Sequence, residues 1–502
     1  MASSSTTYRA YRRFGLSERI VIAGGVLLAA AVVLCSTGCA SYTDRIKESQ
    51  RAVSEGDAER AIATYNRELG LDDEAELDAP PPDLDDEKAL LLLERATMLQ
   101  AIGRYESASR DMITVDDRLE WLDIQSDTGD AILNFVYSDD AGSYRAPAHE
   151  RLLLNTMNMI NFLAQGNDSG ARVEARRFDI LQRFFLDDSS AEFIPDVLGL
   201  GNYLAGAAFE AGRDYTSAAR FYTMAYMHGT WPEPSADRLL DLLSMTGYGG
   251  AGLGEMRQDA EELFDLAADH RRIDRSTYRE THQQGDTLVV VQTGVAPYRE
   301  AERVSLEQGL RYSQRSPYAS VHIDGTTHDQ ALQLAAAGVL TWVNFSTLSR
   351  NGIPSSRSTT LHVDDRQLRL SNPIDIGAQI EAAWDMISAT AMAAAISRAV
   401  VRAAAGLGAR FIAEGIAETA GAGGGSELIG WLTGIILQSS LAAADTPDTR
   451  SWTSLPDGIN LVRLQLPPGQ HDVHLDFGDR SDTRQLEIGS SGFQLLNFSR
   501  IR

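Results

Sequence analysis

One short phrase recurs four times in the first half of the chain, and it constrains the possible fold more than any other feature. In each copy a glycine ends one apolar helical pattern, and an alanine five or six residues later lies in the next. Glycine permits a tight turn between two helices, and alanine permits their close approach. The phrase therefore predicts a series of helical hairpins. The copies run from Gly56 to Ala61, Gly103 to Ala108, Gly166 to Ala171 and Gly212 to Ala218.

The spacing of the copies relates them to tetratricopeptide (TPR) repeats, in which a helix pair recurs about every 34 residues. Here successive alanines are 47, 63 and 47 residues apart, so the repeats carry insertions, including residues 71–86 and 119–147. We interpret residues 39–250 as a TPR-like α-helical repeat domain whose concave face binds another protein. An ordinary helical bundle, in which the same glycines and alanines serve packing alone, is the alternative.

The first forty residues have the three parts of an export signal. A basic stretch precedes an apolar run over residues 20–35, and small residues then lead to Cys39. A membrane-spanning helix needs about 20 apolar residues, so this shorter run favours a cleaved signal over a permanent anchor. Cys35 and Cys39 are the only cysteines, so a chain that begins at residue 39 forms no internal disulfide.

The junction of Gly38 and Cys39 resembles the bacterial lipoprotein signal, although Ser36 stands where that family prefers leucine. The resemblance implies that residues 1–38 are a lipoprotein signal peptide. It also implies that Cys39 becomes the first residue and carries acyl chains such as palmitate. Ala40 is not the aspartate associated with retention in the inner membrane, so the implied location is the periplasmic face of the outer membrane.

The charge of the chain excludes one class of partner. It has 45 Lys and Arg against 70 Asp and Glu, a net charge of −25, which repels a nucleic-acid backbone. Only Lys47 and Lys88 are lysines. An acidic body is not attracted to anionic lipid, so the acyl chains have to supply the attachment to the membrane.

The period of the sequence changes from helical to extended near residue 286. Residues 251–286 are rich in glycine and then in charged side chains, which predicts a polar linker. Apolar and alternating runs after the linker predict half-buried antiparallel strands. These strands lie at residues 287–292, 320–323, 359–363, 367–370, 460–466, 471–477, 483–488 and 493–498. The predicted fold class is therefore α+β, with a mixed domain over residues 287–502.

An alanine- and glycine-rich block interrupts the strands and predicts a helical hairpin over residues 380–444. Its two helices cover residues 380–420 and 428–444, and a glycine-rich stretch at 421–425 joins them. Three interpretations of the second helix stay open: burial against the sheet, self-association into a homo-oligomer, and membrane insertion. Charged residues on the first helix, among them Arg398 and Glu414, disfavour membrane insertion.

Several phrases resemble a group of largely uncharacterised proteobacterial TPR-like lipoproteins. They cover residues 144–155 and 166–178, then Asp448-Thr-Arg450-Ser-Trp452 and the following Leu455-Pro456. The resemblance implies a setting in the cell envelope, similar to that of lipoproteins that support peptidoglycan synthesis, and implies no specific activity. Five charged residues in these phrases either face a protein partner or pair across helices: Glu150, Arg151, Glu174, Arg176 and Arg177.

No residue pattern predicts a catalytic or metal site. His471 and His474 are three residues apart on a predicted strand and therefore point to opposite faces. We predict a protein that is not an enzyme and has no cofactor or metal, and that acts as a lipid-anchored periplasmic scaffold for an envelope protein. The alternative is a structural subunit that self-assembles through the hairpin. A hydrolase of envelope glycan is a third hypothesis, based on location alone.

Overall fold

A computed structural model shows a mixed α+β protein with helices first and sheets after them. Its described parts are residues 41–71, 81, 83–118, 144, 146–187, 194–230, 236–247, 274–282, 285–315, 325–336, 338–349, 359–370, 373–419, 447–478, 480–489 and 492–502. The predicted signal peptide, Cys39, most of both repeat insertions, residues 251–273 of the predicted linker and the second hairpin helix lie outside these residues.

The described residues of the first half of the chain are mostly helical, as predicted. The helices are α1 (Tyr42–Arg45), α2 (Lys47–Ser54), α3 (Ala58–Leu69), α4 (Asp86–Ala101), α5 (Tyr105–Arg118), α6 (Ala148–Ala164), α7 (Asp168–Asp187), α8 (Pro195–Ala211), α9 (Tyr215–Met227), α10 (Ala236–Thr246) and α11 (Arg275–His282). Four pairs are hairpins with three-residue turns: α2 with α3, α4 with α5, α6 with α7, and α8 with α9. Each of the four repeated phrases lies at one of these turns.

The four turns share one backbone geometry. Gly56, Gly103 and Gly166 have φ values of 74°, 81° and 69°, in the left-handed region that favours glycine. In the fourth turn this conformation belongs to Arg213, with φ 63°, and not to Gly212. The Arg213 N–H donates to the Glu210 carbonyl, and the Asp214 N–H donates to the Phe209 carbonyl. These two bonds close the end of α8 as a Schellman motif.

The geometry explains why the fourth phrase is one residue longer than the others. Counted from the residue with positive φ, the step to the alanine is five residues in all four copies, because Arg213 precedes Ala218 by five. The alanines are fully buried, as close helix contact requires: Ala61, Ala108, Ala171 and Ala218.

The first helix of each of the last three hairpins is enclosed on nearly every side. Every residue of α8 from Val197 to Glu210 is buried, and α4 and α6 are buried almost as completely. The second helices cover one side of them. The C-terminal half of the chain covers the other, because one apolar core includes residues of these helices together with Leu288, Trp452 and Leu495.

The strands that the structure describes in the second half of the chain form three sheets. They are β1 (Asp286–Thr293), β2 (Tyr298–Ser305), β3 (Trp342–Ser349), β4 (Thr359–Val363), β5 (Arg366–Leu370), β6 (Ile374–Asp375), β7 (Gly458–Gln465), β8 (Gly469–Asp476), β9 (Ser481–Ile488) and β10 (Phe493–Arg500). The first sheet has the order β10-β1-β7-β6, the second has the order β5-β4-β8-β9, and β2 pairs with β3.

The first sheet lies between the helices and the second sheet. Leu288 and Val290 of β1 pack on the helices, whereas Val289 and Val291 pack on the second sheet. The strand is therefore buried on both faces. The prediction of a half-buried strand is wrong for β1. The strand also runs parallel to β10, so the expectation of antiparallel pairing is wrong for this pair, while the other paired strands are antiparallel.

The structure confirms the strands predicted at 287–292, 359–363, 367–370, 460–466, 471–477, 483–488 and 493–498, with small shifts of their ends. The strand predicted at 320–323 lies outside the described residues. The pair of β2 and β3 was not predicted. At the end of the predicted linker, Tyr278 of α11 and Asp286 of β1 are buried.

A second group of helices packs on the β2–β3 pair. It contains α12 (Leu306–Arg315), α13 (Gly325–Ala336) and the 44-residue α14 (Ile376–Thr419), which confirms the helix predicted at 380–420. The start of α14 contributes Ile376 and Ile380 to the main core, and its middle forms a separate apolar core with α12, α13 and β3.

Candidate functional site

An irregular segment over residues 447–456, here called the strap, lies against the helical half of the chain just before β7 begins. Every strap residue is buried, although the segment is polar and has neither helix nor strand. Such a segment needs hydrogen-bond partners for its main-chain groups, because a buried unpaired N–H costs free energy. Side chains of the enclosed first helices α4 and α6 supply these partners. The helices α4, α6 and α8 are called the inner helices below.

Two carboxylates hold the middle of the strap. The N–H of Trp452 donates to Glu150 of α6 at 3.0 Å, and the N–H of Thr453 donates to Glu94 of α4 at 2.5 Å. The Trp452 indole N–H also donates to Thr97 of α4 at 2.9 Å. The inner face of the helical hairpins therefore binds a peptide segment, and the segment belongs to the chain itself.

The opposite side of the strap is held by α1 and by β2. The N–H of Thr43 in α1 donates to the Thr449 hydroxyl at 3.3 Å, and the Thr43 hydroxyl donates to the Arg299 carbonyl at 2.9 Å. The N–H of Arg299 donates to the Ser451 hydroxyl at 3.2 Å. The strap is thus enclosed between α1, β2 and the inner helices.

Burial changes the protonation of the groups around the strap. It raises the pKa of Glu94 to about 7 and raises the pKa of Glu150, which also accepts a hydrogen bond from the Tyr144 hydroxyl. Burial lowers the pKa of His149 to about 3, so this imidazole is neutral. The single ion pair within the strap joins Arg450 to Asp448 at 2.9 Å.

A second buried polar cluster joins the first sheet to the helices. The Arg463 guanidinium of β7 contacts Asp286 of β1 at 2.5 Å and Glu210 of α8 at 2.7 Å. Arg238 of α10 contacts the same two carboxylates at 3.0 Å and 2.9 Å. Burial opposes ionisation of Glu210, but Arg238, Arg463 and hydrogen bonds from tyrosine hydroxyls outweigh it and lower its pKa.

The cluster is balanced, with two positive and two negative side chains that are at most 5 % exposed. Removing one partner of such a group leaves an uncompensated charge in the interior, which is strongly destabilising. The cluster therefore fixes the position of the sheet relative to the helical hairpins.

Two of the five predicted partner-binding residues lie inside the protein. Glu150 holds the strap, and Glu174 of α7 accepts a hydrogen bond from the Asn155 amide at 2.9 Å. Arg177 reaches across to Asp116 of α5 at 2.6 Å and is partly exposed. Glu174 and Arg177 thus pair across helices, which was one of the two arrangements that the sequence left open, whereas Glu150 bonds to the strap and to Tyr144.

The other two predicted residues lie over aromatic rings. The Arg151 guanidinium is 5.7 Å from the ring centre of Phe185, and the Arg176 guanidinium is 5.4 Å from that of Phe209. Arg176 is exposed on the outer face of α7. Cys39, the predicted lipid attachment site, lies outside the described residues.

The outer face of α7 exposes apolar side chains beside Arg176. Val173 is 46 % exposed and Ile180 is 57 % exposed. The three residues are spaced i, i+3 and i+7, so they form one stripe along the helix. Their exposure contrasts with the inner helices, whose surfaces are covered by the strap and the first sheet.

The described histidines do not form a metal site. His471 contacts Asp364 at 2.7 Å and the Pro467 carbonyl, and the Asp364 hydrogen bond raises its pKa. His474, on the other face of β8 as predicted, contacts the Thr483 hydroxyl at 2.8 Å. Within the described residues no group of three or more His, Cys, Asp or Glu side chains is placed to hold a metal ion.

Comparisons with known proteins give no relative. No protein-family model matches the chain, and no curated protein or solved structure matches it. The resemblance to TPR-like lipoproteins therefore rests on the sequence phrases alone. Among the helices that the structure describes, none is long and apolar enough to cross a membrane.

Sequence reasoning missed several residues that organise these sites. Glu94 lies in the apolar run of α4, Glu210 ends the apolar run of α8, and Arg463 lies between apolar residues of β7. A charged side chain within an apolar run signals burial with a partner. The partner itself is not visible in the sequence, because it lies on a distant element.

Proposed function

We propose that this protein is a lipid-anchored interaction protein of the bacterial cell envelope, attached through Cys39 and facing the periplasm from the outer membrane. Its helical hairpins act as TPR-like repeats within the N-terminal part, residues 39–250. They bind the strap on their inner face and an envelope protein on their outer face. The partner surface is the stripe formed by Val173, Arg176 and Ile180.

One observation supports the outer face of the hairpins as the surface that binds the partner. The inner helices of the hairpins are covered by the strap and the first sheet, so a partner has access to the second helices. Of these, α7 combines exposed apolar side chains with an exposed arginine. Glu150 and Glu174 then serve the scaffold, and Arg176 contacts the partner.

The chemistry of the stripe indicates the kind of partner. An exposed valine and isoleucine favour an apolar surface, and an arginine between them favours a carboxylate at its centre. Arginine is also over-represented among residues that dominate binding energies. The expected partner is a protein whose contact surface is apolar and bears at least one acidic side chain.

Site-specific photocrosslinking in intact cell envelopes tests this proposal. A photoreactive amino acid that replaces Ile180 should give one discrete adduct, and the added change Arg176→Glu should reduce its yield severalfold. Leu332 of α13 is a matched control because it is 48 % exposed and lies on another part of the chain. The proposal fails if positions 180 and 332 give the same adducts, or if Arg176→Glu leaves the yield unchanged in a folded protein.

A second candidate function is self-assembly through α14. Val401 of this helix is 68 % exposed, the largest exposed fraction among the large apolar side chains of the described residues. A second copy that packs on this face would make the protein a structural subunit. Light scattering of the full-length protein decides: Val401→Glu should convert an oligomer to a monomer, and an unchanged mass contradicts self-assembly through this face.

A further inference from the structure

The chain is fixed to the folded body from its first described residue onward. Ser41 is 4 % exposed and Tyr42 is 1 % exposed. The Ser41 N–H and hydroxyl both bond to Asp44, at 3.2 Å and 2.8 Å, and close a capping box at the start of α1. Thr43 then ties α1 to the strap and to β2.

This arrangement leaves almost no tether between the body and the proposed lipid anchor. Cys39 precedes the buried Ser41 by two residues. Two residues of extended chain span at most about 7 Å. A body attached in this way has no freedom to leave the bilayer surface, and only the surface next to Ser41 can lie against the lipid.

We infer that the surface around α1 and α2 is held in contact with the phospholipid headgroups, which gives the body one fixed orientation on the bilayer. This surface, here called the anchor face, consists of the exposed side chains Asp44, Arg45, Lys47, Glu48 and Arg51. The inference rests on the proposed acylation of Cys39. It adds to that proposal the surface that meets the lipid.

The charge of the anchor face suits this position. Its five side chains are three basic and two acidic, and the charged side chains outside it that they contact, Glu55, Glu87 and Arg67, bring the total charge to zero, whereas the whole chain carries −25. The side chains of Lys47 and Arg51 are 70 % and 80 % exposed. Long basic side chains of this kind lay their methylene groups along apolar surface and extend their charges to headgroup phosphates.

The local ion pairs do not prevent this contact. Lys47 contacts Asp44 at 2.5 Å and Arg51 contacts Glu55 at 3.0 Å, both in exposed positions. Exposed pairs contribute only about 0–1 kcal/mol, so either basic group can exchange its carboxylate for a phosphate at small cost. The anchor face is therefore not repelled by the bilayer, unlike a surface with the average charge of the chain.

Lysine footprinting provides the test because the chain has only two lysines. The processed protein, isolated from membranes, is placed on vesicles of phosphatidylcholine and phosphatidylglycerol and treated with a water-soluble amine-acylating reagent. A variant with a long glycine-serine insert between Ala40 and Ser41 is the matched control. The amine introduced by Ile180→Lys, at an exposed position of α7 outside the anchor face, reports general reactivity in both proteins.

With the native two-residue tether, Lys47 should react at least about fivefold more slowly than in the insert variant, because headgroups cover it. The amine at position 180 should react equally fast in both. If mass spectrometry shows that Cys39 is acylated and Lys47 still reacts equally fast in the native protein and the insert variant, the lipid contact is overturned. The proposed anchor then remains intact. An unmodified Cys39 with no vesicle binding overturns both proposals.

Discussion

The protonation of Glu94 links the strap to the stability of the whole protein. Burial raises the pKa of this carboxyl from 4.5 to about 7. Between these values the folded chain holds a proton that the unfolded chain has lost, so the free energy of unfolding falls as the pH rises through this window. The difference between these two pKa values corresponds to about 3 kcal/mol in the free energy of unfolding. The protein has lost this whole contribution above pH 7.

The substitution Glu94→Gln removes this titration and keeps an oxygen that accepts the Thr453 N–H. We expect the variant to match the wild type near pH 4.5 and to be more stable by about 3 kcal/mol at pH 8. Urea unfolding at steps between pH 4.5 and 8 measures the difference. Glu174→Gln is a matched control, because burial raises the pKa of Glu174 only to about 6 and its gain should be smaller.

The opposite pattern would refute this reasoning. If Glu94→Gln is less stable than the wild type at pH 8 and equal to it at pH 5, then Glu94 is ionised at neutral pH. The strap would then depend on a charged acceptor, and the raised pKa would be wrong.

Four further substitutions test the scaffold. Arg213→Gly should stabilise the protein by about 0.5–1 kcal/mol in thermal unfolding, because glycine accepts the left-handed backbone at lower cost, and a loss of stability would contradict the turn geometry. Enlarging Ala108 or Ala218 to Leu should cost about 1–3 kcal/mol through overpacking, and unchanged melting temperatures in both variants would contradict close helix contact. Arg463→Met should cost about 3–5 kcal/mol in urea unfolding, because two buried carboxylates lose a shared partner; a cost below about 1 kcal/mol would show that the cluster does not fix the sheet.

Local patterns predicted the local structure well. The glycine-to-alanine phrases mark every turn of the four hairpins, because a left-handed residue and a small contact residue have to lie at fixed positions. The strand predicted at residues 359–363 coincides with β4, whose alternating burial matches its alternating sequence. Even the irregular fourth phrase has a local cause, since Arg213 takes the backbone conformation that glycine takes elsewhere.

Long-range features could not be predicted from the sequence. The parallel pairing of β1 with β10 joins residues about 200 positions apart, and no local period encodes it. Half of the residues of β2 are charged, and its pairing depends on β3, whose paired residues lie 37 to 51 positions later. The strap has the composition of a loop, and its burial depends on Glu94 and Glu150, about 300 or more residues earlier.

The predicted partner-binding residues also show that the sequence predicts local structure but not long-range contacts. The sequence phrases contain Glu150 and Arg176 with equal prominence, but one side chain holds the strap and the other lies on the surface. Sequence spacing places both on helices. Only the packing of α6 and α7 against their neighbours separates a structural carboxylate from an exposed arginine.

The mature N-terminus is the measurement that tests the central proposal most directly. Trypsin releases a peptide of residues 39–45 from a chain that begins at Cys39, since Arg45 is the first basic residue after it. For the protein isolated from cell envelopes, we expect the mass of this peptide to include a diacylglyceryl group on the Cys39 sulfur and a further acyl chain on its amino group. An unmodified thiol at residue 39, or a mature chain that begins elsewhere, would contradict the lipid-anchored protein proposed here.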